Sequence, residues 1–376
     1  MSIQSKNFPF YHKLAAVLVI LVLLGYLVIE GKELLSPLIF SCLFSILLLP
    51  LAGFMERRLR FKRGLASILS VLMLLGTVSL IVYVIAVQLS SLSDDWPQFK
   101  MQLNSSFTNL QHWVSDTFHI KVSKQLAYAN TAMGKLLDSG TTVLGGTILS
   151  LSSFLLFLVF TFIYTFFFLN YRRLIRTFLV HVFLEENALV VNDIIEKVQQ
   201  ILRKYIIGLF FEMCIVAAVV CIAFWMLGIK YAMLLGLITG LFNIIPYIGI
   251  FTAMLLSVLI TFATGAAAGK LLLVITSILI THLVDSNILL PVIVGSKVKI
   301  NPLITVLGVV LGEMIWGISG MFLSIPVIAV LKIIFDRVES LKSWGILLGE
   351  EEKKPQSHST QTELPVNAPR AGESTV

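Results

Sequence analysis

Charge-free runs govern what this chain can become. Residues 14–29, 34–55, 64–93, 139–171, 231–269 and 271–284 contain no Asp, Glu, Lys or Arg. Stretches 205–229 and 300–331 are each interrupted by a single acid, Glu212 and Glu313. A helix needs about 20 apolar residues to cross the hydrocarbon core of a bilayer. Runs of this length and number specify an all-α, polytopic membrane protein. A transmembrane β-barrel would alternate apolar and polar residues in short segments, and no stretch here does so. Only 13% of the residues are charged, against about a quarter in soluble domains, which argues against a water-soluble enzyme.

The remaining charges mark the membrane edges. Arg57, Arg58, Arg60, Lys62 and Arg63 form one basic cluster, Arg172, Arg173 and Arg176 a second, and Lys197, Arg203 and Lys204 a third. An excess of Lys and Arg in short loops identifies the cytoplasmic side. The net charge of +7 therefore sets topology and does not indicate a nucleic-acid partner. The first apolar stretch ends at Glu30, Gly31, Lys32 and Glu33 rather than at a small-residue cleavage site, so it reads as a retained span.

These signals divide the chain into five parts. Residues 1–91 form an N-terminal scaffold with spans near 14–29, 34–53 and 64–90. Residues 92–145 follow as an extracytoplasmic cap, where Phe99, Leu103, Phe107 and Leu110 recur at helical spacing. Residues 146–204 supply a fourth span and a cytoplasmic amphipathic helix striped by Val190, Ile194, Val198 and Ile201. Region 205–340 carries an internal repeat, and 341–376 is a polar tail unable to bury enough apolar surface to order itself. Cys42, Cys214 and Cys221 all lie in apolar stretches and read as small buried hydrophobes rather than metal ligands. No cofactor is expected.

The repeat lies in two segments too long for one crossing. The 39 residues 231–269 are broken by Gly240-Leu-Phe-Asn-Ile-Ile-Pro-Tyr-Ile-Gly249, and 300–331 by Gly312-Glu-Met-Ile-Trp-Gly-Ile-Ser-Gly320. Proline removes a backbone donor and glycine loosens a helix, so interruptions are expected at both places. Gly236 and Gly240 match Gly308 and Gly312 at a constant offset of 72, and each broken segment follows one span, 205–229 or 271–292. If each is a re-entrant hairpin, Lys297 and Lys299 fall on the cytoplasmic side, as the positive-inside rule requires; if each is a bent crossing, they do not. The hairpin reading yields about eight hydrophobic segments: six spans plus two hairpins entering from opposite faces. Inverted repeats with discontinuous helices are a secondary-transporter plan, because broken backbone at membrane depth must be buried in protein or line a wet cavity.

An ionisable group within a span is costly and marks function by default. Three acids qualify. Glu212 could snorkel, face a pathway or pair with a neighbouring span, and pairing is favoured. Asp285 and His282 lie three apart on one helical face, as a proton or cation relay or as a structural hydrogen-bond pair. Glu313 sits in the broken centre of the second hairpin, where it could take up a proton or be satisfied by backbone amides. The first tip, Asn243, Pro246, Tyr247 and Gly249, and the second, Trp316, Gly317, Ser319 and Gly320, are the substrate-contact candidates. For the glycines and Pro246 hairpin architecture is the favoured reading, and for Asn243 a solute contact.

At these residues the chain resembles a known family. Gly240 through Gly249, Asp285-Ser-Asn-Ile-Leu-Leu-Pro-Val-Ile-Val-Gly295, Asn301-Pro-Leu, then Gly312 through Gly317, Gly320, Pro326 and Lys332 resemble the signatures of the autoinducer-2 exporter family of PerM-like bacterial membrane proteins. The resemblance implies a multipass, homo-oligomeric transporter of the bacterial inner membrane, and the positive-inside distribution leaves both termini cytoplasmic. It implies export of a small polar solute of the quorum-sensing autoinducer-2 type by alternating access, with 205–340 as the transport region. Some members are linked to sodium/proton exchange, so an antiporter using protons or sodium is the alternative; a non-transporting scaffold is a third reading, and an enzyme is not expected. Ile250, Asn301 and Glu313 depart from a frequent proline, histidine and glycine in that pattern, which leaves the solute open.

Overall fold

The computed structural model describes residues 10–94, 97, 101–102, 105, 108, 152–182, 188–245, 248–294 and 300–350. The expected cap falls almost entirely outside the described residues, as do the tail from 351, Lys297, Lys299, Pro246 and Tyr247. Among the described residues every regular element is helical. Helices α1 (Phe10–Glu30), α2 (Lys32–Arg57), α3 (Arg63–Asp94), α4 (Ser152–Asn170) and α5 (Arg172–Val182) precede the long α6 (Ala188–Met226). Then come α7 (Ala232–Phe242), α8 (Ile248–Ala263) and α9 (Ala268–Val284), which runs directly into a π-helical segment, Asp285–Val294. Helices α10 (Pro302–Trp316), α11 (Ile318–Arg337) and α12 (Lys342–Leu348) are the last described helices.

Among the described residues seven helices are long and apolar enough to span: α1, α2, α3, α4, α6, α9 with its π extension, and α11. The all-α polytopic class is as expected, and six of these helices correspond to the expected spans; the seventh, α11, is an arm of the expected second hairpin. Its 20 residues reach about 30 Å at 1.5 Å per residue and match the core thickness. Helices α7, α8 and α10, at 11, 16 and 15 residues, are shorter than that thickness.

The expected amphipathic helix and fifth span are one 39-residue helix, α6, about 58 Å long. No Gly or Pro lies between Ala188 and Gly208, so nothing breaks the helix where Arg203 and Lys204 pass. Helices α1 and α2 are separated by Gly31 alone, with Gly31 N–H bonded to the Leu27 carbonyl at 2.9 Å and Leu35 N–H to the Gly31 carbonyl at 2.8 Å. Helix α1 is otherwise exposed along its length.

Packing radiates from α6. Its outer half, Val216, Val220 and Phe224, is buried with Leu234 and Leu235 of α7, Ile250 and Ile260 of α8, and Val274 and Ile278 of α9. Its inner half, Leu202 and Ile206, is buried with Leu43 and Ile46 of α2 and Leu323 of α11. Phe40 of α2 stacks on Phe322 of α11 with ring centroids 5.3 Å apart. Helix α2 in turn packs on α3 and α4 through Leu48, Ala52, Val71 and Leu169. Helix association in lipid depends on close packing rather than on expulsion of water, and glycine supplies it here. A Cβ on Gly240 would lie 2.6 Å from the Met213 carbonyl oxygen, and Gly236 abuts Cys221 in the same way.

Helices α10 and α11 form an antiparallel hairpin: Gly312 abuts Gly320, and Gly308 faces Ser324 and Ile328. The chain turns at Gly317, where φ is 61°, a region that favours glycine. Ile300 bridges Gly349, and Asn301 N–H donates to the Leu348 carbonyl at 3.0 Å, so both ends of the hairpin meet at one end of the molecule. The matched glycines do different work: Gly236 and Gly240 seat α7 on the preceding helix, Gly308 and Gly312 seat α10 on the following one. Cys42 and Cys214 are exposed on outer helix faces rather than buried, because their helices turn other stripes toward the core.

Candidate functional site

Close packing of α7 on α6 determines what happens at the tip of α7. With Gly240 against Met213, the next residues of α7 are carried past the adjacent turn of α6, where Glu212 is buried with 3% of its surface exposed. Asn243 caps α7, its N–H bonded to the Thr239 carbonyl at 3.0 Å. A side chain on Gly249 would run into the Phe242 carbonyl, so glycine there lets α8 start directly against the end of α7. The Asn243 side chain is left half-buried at this junction.

That amide joins two acids. Asn243 Nδ2 donates to Glu212 Oε1 at 3.2 Å and to Asp285 Oδ2 at 3.1 Å. Asp285 is 5% exposed and opens the π-helical segment. Pro291 within that segment cannot donate to a carbonyl one turn back, which unseats the α register around it. π-helical turns recur at functional sites because they re-aim side chains. The second oxygen of each acid, Glu212 Oε2 and Asp285 Oδ1, is buried without a hydrogen-bond partner. Among the described residues neither acid forms an ion pair with Lys or Arg.

Depth follows from helix geometry. Glu212 lies 14 residues from the end of α6 at Met226 and 9 from Arg203, about 21 Å and 14 Å along the axis. In a hydrocarbon core of about 30 Å that is close to the middle. Two carboxyls at such depth repel when both are ionised and lack water to screen them. A proton shared between them, or a monovalent cation on their free oxygens and the Asn243 carbonyl oxygen, relieves the repulsion. The arrangement suits reversible uptake of one positive charge.

The expected site residues separate into two places. Glu212, Asn243 and Asp285 come together, with Gly249 packed behind Asn243. His282 does not bond to Asp285; its Nε2 lies 3.5 Å from Ser286 Oγ, and its Nδ1 is buried without a partner. Pro246 and Tyr247 lie outside the described residues. Trp316 belongs elsewhere: its Nε1 donates to the Val28 carbonyl at 2.8 Å, and its ring packs with the cluster of α2, α6 and α11. Gly317 forms the turn, half-buried Ser319 follows it, and Gly320 is covered by Gly312. Glu313 is exposed in the last turn of α10 and is not part of the acid pair. What sequence reasoning missed is the bridge itself. Glu212 and Asp285 were separate suspects, and their separations from Asn243 of 31 and 42 residues carry no helical signal.

A second concave feature lies where α2 ends and α5 begins, lined by arginines beside Gln199 and Arg203 of α6. Arg172 Nη2 pairs with Glu56 Oε2 at 2.6 Å there.

The chain is similar in sequence to known transport proteins. Residues 17–340 match the model of the AI-2E transporter family, described as AI-2E family transporter. YrrI of Bacillus subtilis, a candidate transport protein, is 28% identical over 313 residues, covering 80% of this chain and 86% of YrrI. YueF of the same organism, also a candidate transport protein, is 23% identical over 312 residues, covering 80% and 82%. PerM of Escherichia coli, a candidate permease, is 25% identical over 149 residues, covering 40% and 42%. With the family model spanning most of a polytopic helical chain, this protein belongs to the AI-2E family of membrane transporters.

Proposed function

We propose that this chain is a secondary transporter of the bacterial inner membrane that exports a small polar solute, a signalling molecule of the autoinducer-2 type. Glu212, Asn243 and Asp285 form its ion-coupling centre. The observation that carries this reading is the bridging of two buried acids by the Asn243 amide, with one unpartnered oxygen left on each. Three separate elements meet there, so the charge state of the acids decides how tightly the tip of α7 is held to α6 and to the π segment. With a proton or sodium ion bound the three are clamped; without it the two carboxylates repel, and the tip is released to expose the site to the other face. That is alternating access driven by one titrating centre.

Solute would enter beside the clamp, contacting Asn243, Pro246, Tyr247 and Gly249, and would pass the second tip at Trp316, Gly317, Ser319 and Gly320. In this reading His282, one turn before Asp285, relays a proton, and Glu313 belongs to the route only where α10 reaches water. Both broken segments act as hairpins entering from opposite faces, with both termini cytoplasmic and the chain assembled as a homo-oligomer. Cysteine labelling at position 301 from each side tests the topology; access only from outside rejects it.

Sodium/proton antiport is the second reading, favoured by the absence of a Lys or Arg partner for the acids among the described residues. Purified protein in liposomes separates the readings. Solute efflux that depends on a proton or sodium gradient, abolished by Glu212→Gln or Asp285→Asn, supports the exporter. A pH-dye response to sodium pulses without solute supports the antiporter. Neither activity, or activity unchanged in both variants, rejects the coupling centre, and a protein inert in both assays would be a scaffold.

A further inference from the structure

We propose that the arginine-lined pocket between α2, α5 and α6 is a binding site for a phosphate-bearing anion, the headgroup of an anionic phospholipid or a soluble phosphate. The cavity measures about 910 Å³. Arg57 and Arg58 reach it from the end of α2, Arg172, Arg173 and Arg176 from α5, and Arg203 from α6. Glu56 is the one acid in its wall, so six guanidinium groups face one carboxylate.

The protein uses only part of that charge for itself. Arg172 is engaged by Glu56. Arg176 holds α5 to α6 through Asn192 Oδ1 at 3.0 Å and Glu196 Oε1 at 2.8 Å. The side chains of Arg57, Arg58, Arg173 and Arg203 form no hydrogen bond or ion pair with any described residue. Arg172 Nη1 is buried and has no partner. The positive-inside rule asks only for basic residues near the membrane edge; it does not require them to converge from three helices on one concavity. Like charges gathered in a recess repel, so an anion bound among them lowers the energy of the site.

The chemistry of the wall narrows the anion. Guanidinium forks bind phosphate oxygens in a planar, two-point fashion that a diffuse counter-ion does not satisfy. Leu49, Pro50 and Phe54 form an apolar side of the same pocket, and Phe54 is exposed on the outer face of α2. A phosphate seated on the arginines with a glycerol and acyl stem along these side chains matches both halves. Basic pockets between helices at the cytoplasmic edge are suited to lipid headgroups of this kind. Because α6 also carries Glu212, an anion here would tie α2 and α5 to the helix that holds the acid pair.

The test uses the full chain in zwitterionic detergent, with melting temperature and native mass spectrometry as readouts. The probes are phosphatidylglycerol, phosphatidylcholine and inorganic phosphate. Phosphatidylglycerol is expected to raise the melting temperature and to stay bound, whereas phosphatidylcholine does neither. A shift with phosphatidylglycerol alone identifies a lipid headgroup, and an equal shift with inorganic phosphate identifies a soluble anion. The variants are Arg57→Gln, Arg173→Gln and Arg203→Gln, chosen because none of these residues holds another part of the protein. Each is expected to weaken binding about tenfold, the worth of one charge-assisted hydrogen bond, while the melting temperature without probe stays the same. The three substitutions are also combined; if that triple variant fails to fold, the single variants decide. No shift with either anion, or a shift equal in native and variant protein, overturns the proposal.

Discussion

Replacing Asn243 gives the sharpest test of the acid pair. Its Nδ2 carries two hydrogens, and one goes to each carboxyl, at 3.2 and 3.1 Å. Asn243→Ala removes both bonds at once. A hydrogen bond to a charged group is worth about 1.5–3 kcal/mol, and in this pair one acid is relieved of its charge by a proton or cation. The expected loss of unfolding free energy is therefore about 2–4 kcal/mol. Asn243→Asp keeps the shape but replaces the donor by a third carboxylate, for which about 3–5 kcal/mol is expected. The isosteric change should thus be worse than truncation. Adding Glu212→Gln to Asn243→Asp restores a complementary pair with the roles exchanged, since the new amide at 212 can donate to the new carboxylate at 243. The double variant should recover about 2 kcal/mol relative to additivity. Unfolding in mixed detergent micelles, followed by far-UV circular dichroism, measures the native protein, the single variants Asn243→Ala, Asn243→Asp and Glu212→Gln, and the double variant. A cost below about 0.5 kcal/mol for Asn243→Ala, or strict additivity in the double variant, would refute the bridge.

Other perturbations probe the neighbouring geometry. Gly240→Val places a side chain on the Met213 carbonyl, where a Cβ already lies at 2.6 Å; it should cost about 1–3 kcal/mol and separate Asn243 from Glu212, read as lost ion-coupled transport in liposomes. Asn301→Ala removes the cap that accepts from Leu303 N–H at 2.9 Å and should cost about 1 kcal/mol in the same unfolding assay. Trp316→Phe loses the bond to the Val28 carbonyl at 2.8 Å, about 1 kcal/mol, and should lower the yield of a cysteine cross-link between positions 28 and 317. Glu313→Gln, at an exposed position apart from the acid pair, should leave stability and ion-coupled transport unchanged within about 0.5 kcal/mol.

Much of this protein was legible in its sequence because a bilayer penalises charge so heavily. Where Asp, Glu, Lys and Arg stand along the chain was enough to specify an all-helical polytopic protein, to place the breaks near Asn243 and Gly317, and to isolate Glu212, Asp285 and Glu313 as the acids to explain. Those are properties of short segments, and hydropathy reports them directly. Three-dimensional packing decided the rest. Whether 188–204 stops before the following span or continues into it depends on side-chain contacts along α6, since no residue there breaks a helix. Whether α11 is long enough to span depends on how far it extends past Pro326. Which acids pair depends on the rotation of α6, α7 and α9 about their axes, set by the contacts of Gly240, Gly249 and Ile278. Periodicity gives a face relative to its own helix and says nothing about the neighbour it meets, so only the tertiary structure could bring Glu212 and Asp285 onto one amide and leave Glu313 apart.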